Sequence, residues 1–490
     1  MGDRLVALAE FRRLPGAAFS FVRPILCLIF RRVIRNGSRK ASRRRPVAID
    51  LFAGAGGLSL GLEQAGFDVL ASVEYDPVHC AVHEFNFPRT EVLCADASHL
   101  EPEHLQEAAK RGAVRHGLLD WDGEIDAIVG GPPCQGFSTI GKRLIDDTRN
   151  RLVFDFFRLV FALRPRYFVM ENVPGMAAGG HSAILDRFIQ EFEAVGYTTA
   201  SKVLSTADFG VPQLRRRLIV IGSREDQSVA QHPQPSCNPV PKTPGARVPR
   251  MREGLSVGPT VWQAIGDIPD LDRYAALRGS DRTLLSDAAM ERIECKASQY
   301  ALRLRGTDPA DRAHPRRWDP ALLTSSARTI HTAVSIQRFA NTAPGETEPI
   351  SRFYRLHPRG LCNTLRAGTG SERGAFTSPR PIHPKRPRVI SVREAARLHS
   401  MPDWFQLHAT KWHGFRQIGN AVAPLLGRAV GESLTEALGI RPQKPRLKQS
   451  LGDSQLLSLT MSEAAARYGV ESGQIPAPRT RTPRLERIAA

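Results

Sequence analysis

The strongest constraint on this chain is where its apolar runs stop. Val47-Ala48-Ile49-Asp50-Leu51-Phe52 is too short for a typical helix and ends in glycines; Leu58 to Ala65 then has helical texture and is closed by Gly66. Val69 to Val73 ends at Glu74, Ile125 to Val129 at Gly130-Gly131-Pro132-Pro133, and Tyr167 to Met170 at Glu171. Leu152 to Leu163 is apolar at helical spacing until Pro165, and Leu218 to Ile221 is a further strand. Strands alternating with helices predict an α/β fold with a doubly wound parallel sheet. In such sheets ligands sit beyond the carboxyl ends of the strands. The polar residues of interest all fall at those ends.

Composition narrows the class. The hydrophobic share of 42% and charged share of 24% exclude a wholly disordered or fibrous chain. By length, 490 residues amount to about three domains. Seven scattered cysteines fall at neither metal nor disulfide spacing, so the chain reads as reduced and intracellular. The net charge of +19 favours a polyanionic partner. Much of it lies at the ends: residues 1–46 hold twelve Lys/Arg against two Asp/Glu, and residues 441–490 hold nine against four. An apolar stretch between Arg13 and Arg31 is broken by Arg23-Pro24, so no membrane span is expected there. The expected organisation is a disordered basic extension (1–46), a catalytic and cofactor-binding domain (47–225), a linker with a smaller second domain (226–390), a return to the first domain (391–440) and a disordered basic tail (441–490). Within that tail Ser462 to Tyr468 has short-helix texture.

Phe52-Ala53-Gly54-Ala55-Gly56-Gly57 follows a strand and opens a helix, where glycines admit a ligand close to the backbone and free N–H groups face it. Glu74 ends the second strand, placed to accept ribose hydroxyls, and Tyr75 beside it can stack on a purine. Asp96 suits an exocyclic amine. No P-loop lysine is present, so an adenosine without phosphates fits best, which points to S-adenosyl-L-methionine.

Gly130-Gly131-Pro132-Pro133-Cys134-Gln135-Gly136-Phe137-Ser138 is a stiff turn that presents a cysteine at a strand end. A buried structural cysteine is the commoner fate, yet Cys134 sits between Pro133 and Gln135 in a loop. Glu171-Asn172-Val173 ends the neighbouring strand, where a partly desolvated carboxyl can donate a proton. In Gln213-Leu214-Arg215-Arg216-Arg217, strand alternation places Arg215 and Arg217 on one face, able to grip a phosphate or a pyrimidine carbonyl.

Together these stretches, with Gln417-Ile418-Gly419-Asn420-Ala421-Val422, resemble the DNA (cytosine-5)-methyltransferases of prokaryotic type over residues 47–224 and roughly 355–438. The resemblance implies a Rossmann-like, S-adenosylmethionine-dependent methyltransferase domain carrying a smaller inserted target-recognition domain. It implies Cys134 as the nucleophile at carbon 6 of cytosine. Glu171 would hold nitrogen 3 and the exocyclic amine, with Arg217 and Arg215 steadying the flipped base. Phe52, Gly54, Gly56, Glu74, Tyr75, Asp96, Pro133 and Asn420 would line the cofactor site, and no metal is called for. Tyr75 stands where the family often has tryptophan. The stretch from His357 to Gly368, containing Arg366, resembles the one that organises the inserted domain. The implied partner is double-stranded DNA, with a restriction endonuclease acting on the same site as a candidate companion. A monomer in the bacterial cytoplasm, associated with the nucleoid and with no membrane contact, is expected. Target reading is expected from residues 270–355, where Arg328, Arg338 and Asn341 are candidates without assignment. The polar stretch from Gly136 to Arg149 reads as a loop that closes over the flipped base. Two other functions remain open at this point: an RNA (tRNA) cytosine-5 methyltransferase, and a non-catalytic DNA-binding protein.

Overall fold

The computed structural model describes residues 44–133, 151–178, 182–247, 251–368 and 380–471. Its first apolar run is β1 (Val47–Leu51), and the pleat of that strand sets the layering. Val47, Ile49 and Leu51 pack into one hydrophobic core while Ala48 packs into another. Both faces of the sheet are therefore covered. The remaining strands are β2 (Asp68–Glu74), β3 (Glu91–Cys94), β4 (Ala127–Gly130), β5 (Tyr167–Asn172), β6 (Tyr197–Ser205) and β7 (Arg216–Arg224), in the order β3-β2-β1-β4-β5-β7-β6. The five strands from β3 to β5 are parallel, but β7 is antiparallel to both β5 and β6. The expected wholly parallel sheet is thus corrected to a mixed one. The reason is chain length: only Thr206 to Arg215 separates β6 from β7, fewer than the dozen or more residues a parallel crossover needs.

Between the strands lie α1 (Gly57–Ala65), α2 (Pro77–Asn86), α3 (Pro102–His116), α4 (Arg151–Leu163) and α5 (Ser182–Ala194). Later come α6 (Val261–Ile265), α7 (Asp287–Lys296), α8 (Gln299–Leu302), α9 (Ala333–Asn341), α10 (Val392–Leu398), α11 (Lys411–Asn420), α12 (Pro424–Ala437) and α13 (Met461–Tyr468). Local chemistry starts these helices where they start. Asp76 accepts from the Val78 N–H with Pro77 at the first helical position, and Ser391 and Glu394 form a reciprocal capping box.

Helices α3, α4 and α5 cover one face of the sheet through Leu105, Phe156 and Phe188. On the other face α1 and α12 pack side by side through Leu58, Leu62, Leu426 and Val430. Their approach is close: a Cβ on Gly61 would lie 2.7 Å from the Cα of Gly427, and one on Gly431 would lie 2.7 Å from the Cβ of Ala65. The segment after residue 423 therefore lies directly against the helix that follows β1.

The packing does not divide at residue 226 or 390. One core runs from Leu60, Phe85 and Phe87 through Val261, Tyr300 and Leu356 to Phe405, Ile418 and Leu457. Residues 441–471 also depart from the expected disordered tail. Leu456 and Leu457 are buried in this same core, and Tyr468 and Arg467 both bond Glu84 of α2. The short helix read at Ser462 to Tyr468 is α13. Among the described residues no helix is long and apolar enough to cross a membrane. The 1–43 part of the basic extension, residues 472–490 and the Gly136–Arg149 loop lie outside the described residues.

Candidate active site

In the strand order, β2 and β3 lie on one side of β1 and β4 lies on the other, so the direction of winding reverses between β1 and β4. A crevice is expected at the carboxyl ends of those two strands. At the end of β1 the backbone turns through left-handed conformations at Phe52 (φ 58°), Gly54 (φ 57°) and Gly56 (φ 97°). For Phe52 this is a strained conformation, held by the structure around it. A Cβ on Gly56 would come 2.4 Å from the Phe87 ring, and one on Gly57 would come 2.5 Å from the Val422 carbonyl oxygen. On Gly54 it would meet nothing within 4 Å. The loop is therefore clamped from behind and open in front.

Glu74 fixes that loop. Its Oε2 accepts from the Gly54 N–H at 2.8 Å and its Oε1 from the Asp76 N–H at 2.9 Å. Tyr75 is exposed beside it. Asp96, just past β3, accepts from the Ser98 N–H and hydroxyl through Oδ1 and keeps a partly exposed carboxylate. Asn420 is exposed at the end of α11, and the Val422 contact with Gly57 brings its segment to the β1 loop. An open glycine edge, two carboxylates at neighbouring strand ends and an exposed aromatic ring suit an uncharged ribose and a purine.

The second cluster joins β4 to β5. A Cβ on Gly131 would lie 3.0 Å from Glu171 Oε2, and Asn172 donates through Nδ2 to the Pro132 carbonyl at 3.2 Å. Pro133 is exposed one residue farther along; Cys134 lies outside the described residues. Arg217 Nε stands 2.6 Å from Glu171 Oε1, in a contact without hydrogen-bond alignment. The carboxyl is nearly buried, charge-paired by Arg217, and retains directed hydrogen-bonding capacity for another group.

Arg215 does not join Arg217. It is 1% exposed, and its guanidinium donates to the carbonyls of Leu365, Gly419 and Ala421 at 3.0, 3.0 and 2.8 Å. The alternation argument fails because β7 begins only at Arg216, which leaves Arg215 in the preceding loop and turned inward. Burial, with the charge of Arg217 adding to it, lowers the Arg215 pKa to about 9. Its expected grip on the substrate is replaced by a structural duty. Gln213 donates through Nε2 to the Leu398 carbonyl, lies 3.0 Å from His399 Nδ1 and accepts from the Leu365 N–H. His399 Nε2 faces the Ala421 carbonyl at 3.0 Å, and since a carbonyl only accepts, the ring proton sits on Nε2. Burial, with Arg215 nearby, holds this ring neutral.

Four residues without a role in the sequence reading thus support the site: Asn172, Gln213, His399 and Asp50. Asp50 was the most visible, a lone carboxyl in an apolar strand. It is 1% exposed, accepts from the Ser59 hydroxyl at 2.6 Å, and burial raises its pKa to about 7. One group at the opposite end of β2 has ligand-type atoms within 4.8 Å of one another: Asp68, His116 and His314. Arg45 already balances Asp68 at 2.7 Å and His314 Nε2 lies 2.8 Å from it, so we read an ion-pair network tying residue 314 to the sheet.

The profile of the C-5 cytosine-specific DNA methylases matches residues 47–436. The Type II methyltransferase M.XorII of Xanthomonas oryzae pv. oryzae is 50% identical over 87% of this chain and 93% of its own length. M1.HphI of Haemophilus parahaemolyticus is 33% identical over 79% of this chain and 86% of its own. A crystal structure described as a prophage-encoded DNA modification methyltransferase (E. coli) superposes with a TM-score of 0.60 at 31% identity, covering 80% of this chain and 99% of that one. With its strand-end clusters at the reversal point of the sheet, the chain belongs to the C-5 cytosine-specific DNA methylase family.

Proposed function

We propose that this DNA cytosine-5 methyltransferase takes its methyl group from S-adenosyl-L-methionine and passes it to carbon 5 of a cytosine swung out of a specific double-stranded site, while Cys134 is bonded to carbon 6. The observation that carries this is the junction of β4 and β5, where Asn172 ties down the Pro132 carbonyl and Glu171 rests against Gly131 beside Arg217. It anchors the residue before Pro133, two positions ahead of Cys134 in the sequence, to the strand that carries the acid.

Carbon 5 of cytosine is too weak a nucleophile on its own. Addition of the Cys134 thiolate at carbon 6, with Glu171 protonating nitrogen 3, forms an enamine that is strong enough. Arg217 is the positioning cation for Glu171. Once carbon 5 is methylated, loss of its proton to a base re-forms the carbon 5–carbon 6 double bond and expels the thiolate. A stacked base offers no room for such an attack, so the nucleotide must leave the helix. S-adenosyl-L-methionine, when bound, supplies an electrophilic methyl group. Phe52, Gly54, Gly56, Glu74, Tyr75, Asp96, Pro133 and Asn420 would hold it, with Glu74 presenting to the ribose the lone pairs that its two backbone bonds leave over.

Residues 226–390 are proposed to read the target. A restriction endonuclease with the same site is the proposed companion, in keeping with the Type II names of the relatives. The enzyme is proposed to work as a monomer on the DNA of a bacterial cytoplasm. Neither an RNA methyltransferase nor a non-catalytic binder is favoured by a family of DNA methylases.

Cys134→Ser is expected to abolish methyl transfer from radiolabelled cofactor to DNA while leaving cofactor affinity intact, because the hydroxyl is a far poorer nucleophile at neutral pH. DNA carrying 5-fluorocytosine is expected to trap the parent enzyme, since fluorine cannot leave as a proton. Methylation by the serine variant, or no adduct with the fluorinated base, would refute the covalent route.

A further inference from the structure

We propose that α9 is a base-reading surface, on which Gln337 and Asn341 recognise the adenine, and Val334 the thymine methyl, of an A·T pair in the major groove of the target. The proposal rests on the reading of the chain as a sequence-specific DNA methyltransferase.

The inner side of α9 is fixed. Thr332 accepts from the Ser335 N–H at the start of the helix, and Arg355 donates to the carbonyls of Phe339, Ala340 and Thr342 at its end. Phe339 is 2% exposed and packs with Ile382 and Val389. Arg338 leans to Glu348 at 3.7 Å. A helix held at both ends and along its seam offers the rigidity that base readout requires.

Its outer side is unusual in what it lacks. Ala333, Val334, Ile336, Gln337, Ala340 and Asn341 are all exposed and none carries a charge. In a chain with 24% charged residues, a helix face left to solvent ordinarily holds several. Val334 is 68% exposed, and Ile330 and Ile350 nearby in sequence are 66% and 69% exposed. Val334 and Ile336 lie on the uncharged face of α9 itself, where an apolar contact such as a thymine methyl can meet them.

The amides on that face supply the recognition. Val334, Gln337 and Asn341 follow one another at helical spacing along one ridge. Gln337 Nε2 donates to Asn341 Oδ1 at 3.1 Å. The bond leaves Gln337 Oε1 as acceptor and Asn341 Nδ2 as donor for an outside partner, which complements the donor N6 and acceptor N7 of adenine. The arginines that the sequence offered as readers are turned away: Arg328 pairs with Asp272 at 2.6 Å and Arg338 with Glu348. Only ten residues separate the helix-capping Arg355 from Leu365, whose carbonyl accepts from Arg215. That span is at most about 36 Å, close to the roughly 34–36 Å of one turn of B-DNA. The chain that leaves α9 thus returns within about one helical turn of DNA to Arg215, two residues from the Arg217 that pairs with Glu171.

The test uses the full chain. Gln337→Ala combined with Asn341→Ala is introduced, and methylated sites are mapped by bisulfite sequencing of a randomised plasmid library. Methylation is expected to spread to sites that differ from the parent site at a single A·T pair, with the preference there falling about 5- to 150-fold. Val334→Glu, a surface change that leaves the melting temperature in place, is expected to weaken DNA binding by setting a carboxylate against the groove. If both variants methylate the parent site spectrum with parent efficiency, the proposal is overturned. It is also overturned if Val334→Glu splits a dimer into monomers, seen by sedimentation, while the site spectrum stays put, because the face then belongs to a second copy. A parent enzyme that places no methyl group on DNA would instead sink the function reading, and this proposal with it.

Discussion

Removing the guanidinium at position 215 and altering the one at 217 should separate in two assays. Arg215→Met leaves two buried carbonyls without a donor, those of Leu365 and Gly419, while Ala421 keeps the His399 ring N–H. At about 1–3 kcal/mol for each unsatisfied group, a loss of at least about 2 kcal/mol is expected in a urea titration. Arg217→Lys keeps a cation near Glu171 but loses the planar guanidinium. It should melt with the parent protein and yet transfer methyl groups at least about tenfold more slowly in a single turnover. Two neighbours alike in sequence would then be one scaffold residue and one positioning residue.

Asp50 gives the molecule a pH dependence of defined sign. Its carboxyl titrates at about 7 in the folded chain against 3.8 when exposed, chiefly because burial penalises the charge. The neutral form is favoured by folding, so this residue's contribution is complete below pH 4 and is lost as the pH rises to 7. The shift corresponds to about 4 kcal/mol. Asp50→Asn keeps an acceptor for Ser59 and cannot ionise, so the difference in stability between parent and variant should grow in the variant's favour across that window. A pH-independent difference would show that Asp50 is solvated.

Among the elements, what the sequence revealed followed periodicity and what it concealed did not. The runs 47–52, 69–73, 125–129 and 167–170 are apolar because both faces of the sheet are covered, and each became a strand. Strand β6 went unread because Thr198-Thr199-Ala200-Ser201-Lys202 is polar and largely outside the core. No periodicity records strand direction, so the reversal of β7 was invisible. The 225–350 region looked patternless because part of what holds it is buried charge, as in Arg397 with Asp267 and Arg316 with Glu63. In a sequence such residues pass for surface. The position of Gly54, Glu74 and Asp96 at or just past the ends of β1 to β3 was legible, since a glycine turn and strand-terminal acids are local features. Gln213 and His399, 186 positions apart, were not. The contact of α1 with α12 carries its own expectation. Gly61→Ala would gain about 1 kcal/mol of helix propensity, but its methyl group would fall 2.7 Å from backbone atoms of α12. The overlap should win, lowering the urea midpoint and, through the Val422 segment, the cofactor affinity measured by calorimetry. An unchanged midpoint would mean the two helices part without cost.

At the scale of the whole molecule, residues 261–356, the helices from Val392 onward and the 456–457 segment share one core with α1 and α2. Residues 449–468 belong to this assembly: Leu456, Leu457, Ala464 and Ala465 are buried, and the Gly452 N–H donates to the Phe85 carbonyl. A chain ending at residue 444 should therefore lose stability. Losing the burial of two leucines alone corresponds to about 3 kcal/mol or more, readable as a lower denaturation midpoint. A truncated chain as stable as the parent would mean the tail lies on the surface without gripping it. The glycine seam between α1 and α12 also sets a clock. Gly61 leaves the ribosome about 360 residues before Gly427, and at about 5–20 residues per second that interval lasts roughly 20 to 70 s. Throughout it α1 stands without the helix that packs on its glycine face, and the Val422 carbonyl that backs Gly57 has yet to be synthesised.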